Sequence, residues 1–145
     1  MYHLYMVETN KEKQMAYMDQ KKKAAIAAEL KKVMPKDWKY SLGVRHHSTI
    51  TLTISEAPVD LLSEINRRNG ERSHGRPHHV FTDYVSVNEH YLAEQFDETL
   101  TVMQQVKAAL DLDNHDRSDI MTDYFDVGHY IKIEIGKHNK PFVVA

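Results

Sequence analysis

Between Lys39 and Ile54 the chain alternates with a period of two on both sides of a short polar link, His46 and His47. Tyr40, Leu42 and Val44 take turns with Ser41, Gly43 and Arg45, and Ile50, Leu52 and Ile54 take turns with Thr49, Thr51 and Thr53. Successive side chains of a strand point to opposite faces, so each run carries one apolar and one polar face. Two such runs joined by a short link predict a β-hairpin, and their β-branched content fits a pleated surface. The apolar face needs a second layer over it, and the threonine row is left for water or a partner.

That second layer is legible as helices. Thr9 and Glu12 read as a capping box ahead of a long helix whose apolar positions are Met15, Met18, Ile26, Leu30, Val33 and Met34. Pro35 ends it, because the residue before a proline is pushed out of helical geometry. After the hairpin, Pro58 suits a first helical turn, Val59, Leu62 and Ile65 follow at helical spacing, and Asn69 with Gly70 supplies a stop. Residues 70–79, GERSHGRPHH, have no apolar period and read as a surface loop. Val80 to Val87 can form a strand, and Asn88 caps a second long helix over Glu89 to Asp111 with Leu92, Phe96, Leu100, Met103, Val106 and Leu110 on one face.

The end of the chain alternates again at Ile131, Ile133 and Ile135. A turn over Gly136 to Lys140 and a strand Phe142 to Val144 complete a C-terminal hairpin in this reading. The expectation is an α+β fold, helices packed on a mostly antiparallel sheet, in a single compact domain spanning residues 1–145. The length of 145 residues suits one hydrophobic core rather than two.

Composition narrows the chemistry. Cysteine is absent, which removes disulfides, thiolate nucleophiles and cysteine-held metal sites. The net charge of -2 is a cancellation: residues 1–79 hold 14 Lys/Arg against 9 Asp/Glu, and residues 80–145 hold 5 against 12. Such two-sidedness can steer a charged partner, and folding of one half onto the other accounts for it equally well. No apolar stretch is long enough to span a bilayer and the first residues lack a signal-peptide pattern. The expected setting is therefore cytoplasmic, without a membrane partner.

Tests for catalytic motifs fail one by one. Gly70 and Gly75 have phosphate-loop spacing, yet Arg76 and Pro77 stand where Lys and Ser/Thr are needed. His74 and His78 have the four-residue spacing of a helical metal pair, but Gly75 and Pro77 between them oppose a helix. His47-Ser48-Thr49 resembles half of the paired signature of two-histidine phosphoesterases, and the second half is missing. An EF-hand starting at Asp111 would need Gly at 116 and Glu at 122, where the chain has Asp116 and Thr122. No catalytic residue, metal site or cofactor is expected.

Binding surfaces remain. Arg45, His46 and His47 form one candidate at the hairpin link. Asp116, Arg117, Asp119 and Asp123 form a second, an acidic cluster that could meet Lys/Arg on a partner. Turn chemistry and helix capping explain the same aspartates without a partner. The lysines at 21–23, 31, 32, 36 and 39, with Trp38 or Tyr40 for stacking, supply a nucleic-acid alternative.

Three segments carry a resemblance: AAIAAELKKVMPKDWKYSLGVRHHSTITLTI with APVDLL after it, VNEHYLAEQFDETLTVMQQVKAAL, and NHDRSDIMTDYFDVGHYIKIEIGKHNKPFVV. They resemble small proteins of bacteriophages and mobile elements, similar to the large polyvalent protein-associated domains. The resemblance implies a phage accessory protein acting inside the bacterial host cell. It further implies a non-enzymatic role by binding a host protein, in the manner of anti-CRISPR or anti-restriction antagonists of host defence. The alternative is a nucleic-acid-binding accessory protein using the basic N-terminal half.

Overall fold

The computed structural model describes residues 20–112 and 128–145. The capping box at Thr9 and Glu12 and the cluster Asp116, Arg117, Asp119 and Asp123 lie outside the described residues. Helix α1 covers Gln20–Val33 and buries Ile26 and Leu30. It ends ahead of Pro35, with Met34 N–H still bonded to the Leu30 carbonyl at 2.9 Å. Trp38 is buried at the following corner and belongs to the core.

Strands β1 (Lys39–Arg45) and β2 (Thr49–Ala57) form the expected antiparallel hairpin, with Leu42 opposite Leu52 and Val44 opposite Ile50. Later come β3 (Val85–Val87), β4 (Tyr130–Ile135) and β5 (Val143–Val144). The sheet order is β1-β2-β4-β3, with β5 also on β2. Strand β4 is parallel to β2 and places Ile131, Ile133 and Ile135 beside Ile50, Leu52 and Ile54. Val85 and Val87 of β3 pair antiparallel with Ile135 and Ile133. One sheet face is thus apolar across all four strands, and these residues join Ile26, Leu30, Leu61, Ile65, Phe96, Met103, Val106 and Leu110 in one core. The architecture is a single α+β domain with an open, mixed, mostly antiparallel five-stranded sheet.

Helix α2 covers Leu61–Ser73. The Asp60 carboxylate caps it, accepting from Ser63 N–H at 3.1 Å and Ser63 Oγ at 2.7 Å. The helix does not stop at Asn69 and Gly70 as the sequence suggests. It runs through Gly70 because ion pairs of Arg67 and Arg68 with Glu71, and of Arg72 with Glu94, hold the extra turn. His74 then ends it in the left-handed conformation, φ 53°.

Three further expectations change. The strand read over residues 80–87 is confined to β3, because the Asn66 side chain occupies the backbone of Phe81. Its amide donates to the Phe81 carbonyl at 2.8 Å and its oxygen accepts the Phe81 N–H at 2.9 Å. The helix read over Glu89 to Asp111 is broken into a 3-10 turn (Glu89–Tyr91), a short helix α3 (Leu92–Gln95) and helix α4 (Leu100–Leu110). Phe96 is extended, φ -126° and ψ 149°, yet fully buried. The buried Glu64 carboxylate forces the break by accepting from Asp97 N–H at 2.8 Å, Thr99 N–H at 3.2 Å and Thr99 Oγ1 at 3.0 Å. Those amides lie in the link between α3 and α4, so a side chain from α2 pins the connection just ahead of α4.

The C-terminal hairpin is also corrected. Strands β4 and β5 do not pair with each other; both run parallel to β2, with Glu56 opposite Val143 and Ala57 opposite Val144. Residues 137–140 form a small loop closed by Lys137 and Lys140 backbone bonds at 2.9 and 3.1 Å. Gly136, at φ +69°, starts it where a Cβ would lie 2.5 Å from the Asp83 carbonyl and 2.7 Å from the Phe142 nitrogen.

Candidate functional site

The β1–β2 connection brings Arg45, His46 and His47 to one exposed tip. Ser48 N–H bonds to the Arg45 carbonyl at 3.3 Å, and His46 and His47 both have positive φ, 56° and 59°. Left-handed geometry at both central residues belongs to hairpin turns whose twist matches the flanking strands, and the side chains preferred there are Asn and Gly. Histidine tolerates the region better than most L-residues but still carries strain in it. The tip is held from below: Tyr130 N–H donates to the Ser48 carbonyl at 2.8 Å, tying the turn to the start of β4.

The polar face of the sheet leads away from this tip. Thr49, Thr51 and Thr53 of β2 lie between Arg45, Gly43 and Ser41 on one side and Tyr130, Lys132 and Glu134 on the other. Thr51 and Thr53 are buried, and Thr51 Oγ1 has no hydrogen-bond partner. Glu134 lies over this row, 2.9 Å from Lys132 Nζ and 3.5 Å from Thr53 Oγ1. Arg45 lines a cavity of about 270 Å³ with Tyr84, Glu134, Lys137, His138 and Asn139. Because β2 separates β1 from β4, that shared cavity sets the Arg45 side chain across the threonine row. Tyr84 and His138 meet edge to face, with ring centroids 6.2 Å apart and planes at 80°.

The structure therefore unites Arg45 with residues that sequence reasoning missed. Lys137 and His138 sit in what reads locally as a hairpin turn, and Tyr84 in what reads as a strand. Only the parallel placement of β4 brings them opposite β1, so no local signal marks them. The acidic candidates at 116–123 lie outside the described residues.

Other sequence candidates separate. His74 serves as the left-handed end of α2, while His79 packs edge-on against Phe81 with centroids 4.6 Å apart. Among the described residues, no group of three or more His, Asp or Glu is placed to hold a metal ion. Of the lysines on α1, Lys22 donates to the Gly128 carbonyl at 3.1 Å and Lys32 pairs with Glu29 at 2.9 Å. Trp38 is buried and presents no face for base stacking. Among the described residues, no helix is long and apolar enough to cross a membrane. No protein-family model, curated protein or solved structure matches this chain.

Proposed function

We propose that the protein is a non-catalytic accessory protein of a phage or mobile element that binds a host protein through the tip Arg45, His46 and His47. The family resemblance supports the setting, and an effector of host defence is the class of partner that setting favours. One observation carries the choice of site: two exposed histidines hold left-handed backbone at a turn where Asn and Gly would sit without strain. Strain retained at an exposed tip has no packing to explain it, and such residues concentrate where a surface is used. The ladder beneath also fixes the tip in advance, which lowers the ordering cost of an encounter.

Affinity capture from host cells with the tagged full chain tests the reading. A host protein retained by the wild type and lost from the double variant His46→Asn, His47→Gly supports it. Equal capture by both removes the tip from the interface. Combined Asp→Asn changes at Asp116, Asp119 and Asp123 test the acidic cluster as a second contact in the same way.

The nucleic-acid alternative draws on the basic N-terminal half, where Lys21, Lys31 and Lys36 on and just after α1 are exposed. It requires a gel shift that falls steeply between two salt concentrations.

A further inference from the structure

We propose that the cavity between Arg45 and Lys137 is a binding site for a phosphate ester of nucleotide size. The inference starts from the pairing of the arginines. Arg67, Arg68 and Arg72 each meet a carboxylate, at 2.9, 3.1 and 3.1 Å, and Arg76 Nε donates to the Ser73 carbonyl at 3.1 Å. Among the described residues Arg45 is the arginine whose guanidinium has no such partner, and the residue lines a cavity. The Lys137 ammonium is likewise unpaired.

The cavity contains one carboxylate, Glu134, and Lys132 already neutralises it at 2.9 Å. Two residues with uncompensated cationic side chains therefore line the same cavity as Asn139 and His138. A guanidinium fork and an ammonium lining one cavity suit the tetrahedral oxygens of a phosphate group, through charge-assisted hydrogen bonds. A volume of about 270 Å³ exceeds what bare phosphate fills, and Tyr84 supplies an aromatic wall for the organic part of an ester. The site shares Arg45 with the tip, while Tyr84, Lys137, His138 and Asn139 lie outside it, so the tip histidines can be changed without touching the cavity.

Isothermal titration of the full chain with AMP and with octathymidylate provides the test. The expected result is saturable binding of at least one of them, weakened about tenfold by Arg45→Gln and by Lys137→Gln, the loss of one charge-assisted contact each. Arg67→Gln, which removes a paired surface arginine, leaves the affinity unchanged. Tighter binding of octathymidylate than of AMP identifies a nucleic-acid strand as the source of the phosphate, and equal or weaker binding identifies a free nucleotide. No binding of either up to about 10 mM, or binding that both cavity variants leave intact, overturns the proposal. The His46→Asn, His47→Gly variant separates the two readings: it retains nucleotide binding even where capture of a host protein is lost.

Discussion

Glu64 and Thr99, 35 residues apart in sequence, share three hydrogen bonds: the Thr99 hydroxyl meets both carboxylate oxygens at 3.0 and 3.1 Å, and its N–H meets one at 3.2 Å. Asp97 N–H adds a fourth at 2.8 Å. Glu64 and Thr99 are both buried, so the carboxylate exchanges water for these donors. Glu64→Ala leaves the buried Thr99 amide and hydroxyl without their acceptor, and a loss of about 3 kcal/mol is expected from urea denaturation followed by circular dichroism. Glu64→Gln keeps one acceptor oxygen and should lose less. Equal stability of Glu64→Ala and wild type would refute the role of Glu64 in holding the α3–α4 link.

This contact also explains why the second long helix is only partly legible. Leu92, Phe96, Leu100, Met103, Val106 and Leu110 recur at helical spacing, and all but Leu100 are buried. The periodicity correctly marks a buried face. It cannot register that α2 delivers a carboxylate to residues 97–99, because that depends on the packing of α2 against α3. The hairpin of β1 and β2 is different: its pattern is local, its turn is short, and its register follows from the alternation of Tyr40, Leu42 and Val44 with their partners. Of the candidate site, Arg45, His46 and His47 are legible for the same reason. Lys137, His138 and Tyr84 reach Arg45 only through a parallel pairing of strands far apart in sequence.

Asp97 gives a pH signature. Its hydrogen bond to the Arg67 guanidinium, at 2.6 Å, lowers its pKa from the ordinary 3.8 to about 2. A carboxylate whose folded value lies below its unfolded value contributes stability that is present above about 4 and lost as pH falls toward about 2. Wild type should therefore lose more stability than Asp97→Asn across that window, in thermal melts at matched ionic strength. The pair is exposed, so the difference is small and shrinks further in salt. Parallel curves for the two proteins would contradict the assignment.

The strained tip predicts a trade of stability against binding. His46→Asn with His47→Gly supplies the side chains that left-handed turn positions prefer, and the fold should gain about 1 kcal/mol, seen as a higher Tm. An unchanged or lower Tm would show that the histidines are not strained there.

Two glycines should respond in opposite directions. Gly136→Ala meets the Asp83 carbonyl and the Phe142 nitrogen while holding positive φ, and a loss of at least about 2 kcal/mol is expected. Gly43→Ala in β1 has no heavy atom within 4 Å of the added carbon and should gain about 0.5 kcal/mol from the lower entropy of its unfolded chain. Denaturant midpoints of the two variants decide both.

Asn66→Leu removes the amide that holds both backbone groups of Phe81. With Phe81 only half-buried, water can replace part of the loss, and about 1–2 kcal/mol of destabilisation is expected. Faster hydrogen exchange at the Phe81 amide is the local readout.

The parallel pairing of β2 with β4 has a consequence for how the chain reaches its native state during synthesis. Thr49 pairs with Tyr130, so the strand at the middle of the sheet waits for a neighbour that leaves the ribosome long after it. Until then β2 has β1 on one side and an edge of unpaired backbone N–H and C=O groups on the other, the kind of edge that recruits strands from other molecules. Closing so large a loop is slow compared with forming the hairpin. Fragments ending before Tyr130 should therefore aggregate rather than fold, and production of the protein in the cell should depend on chaperones that shield that edge.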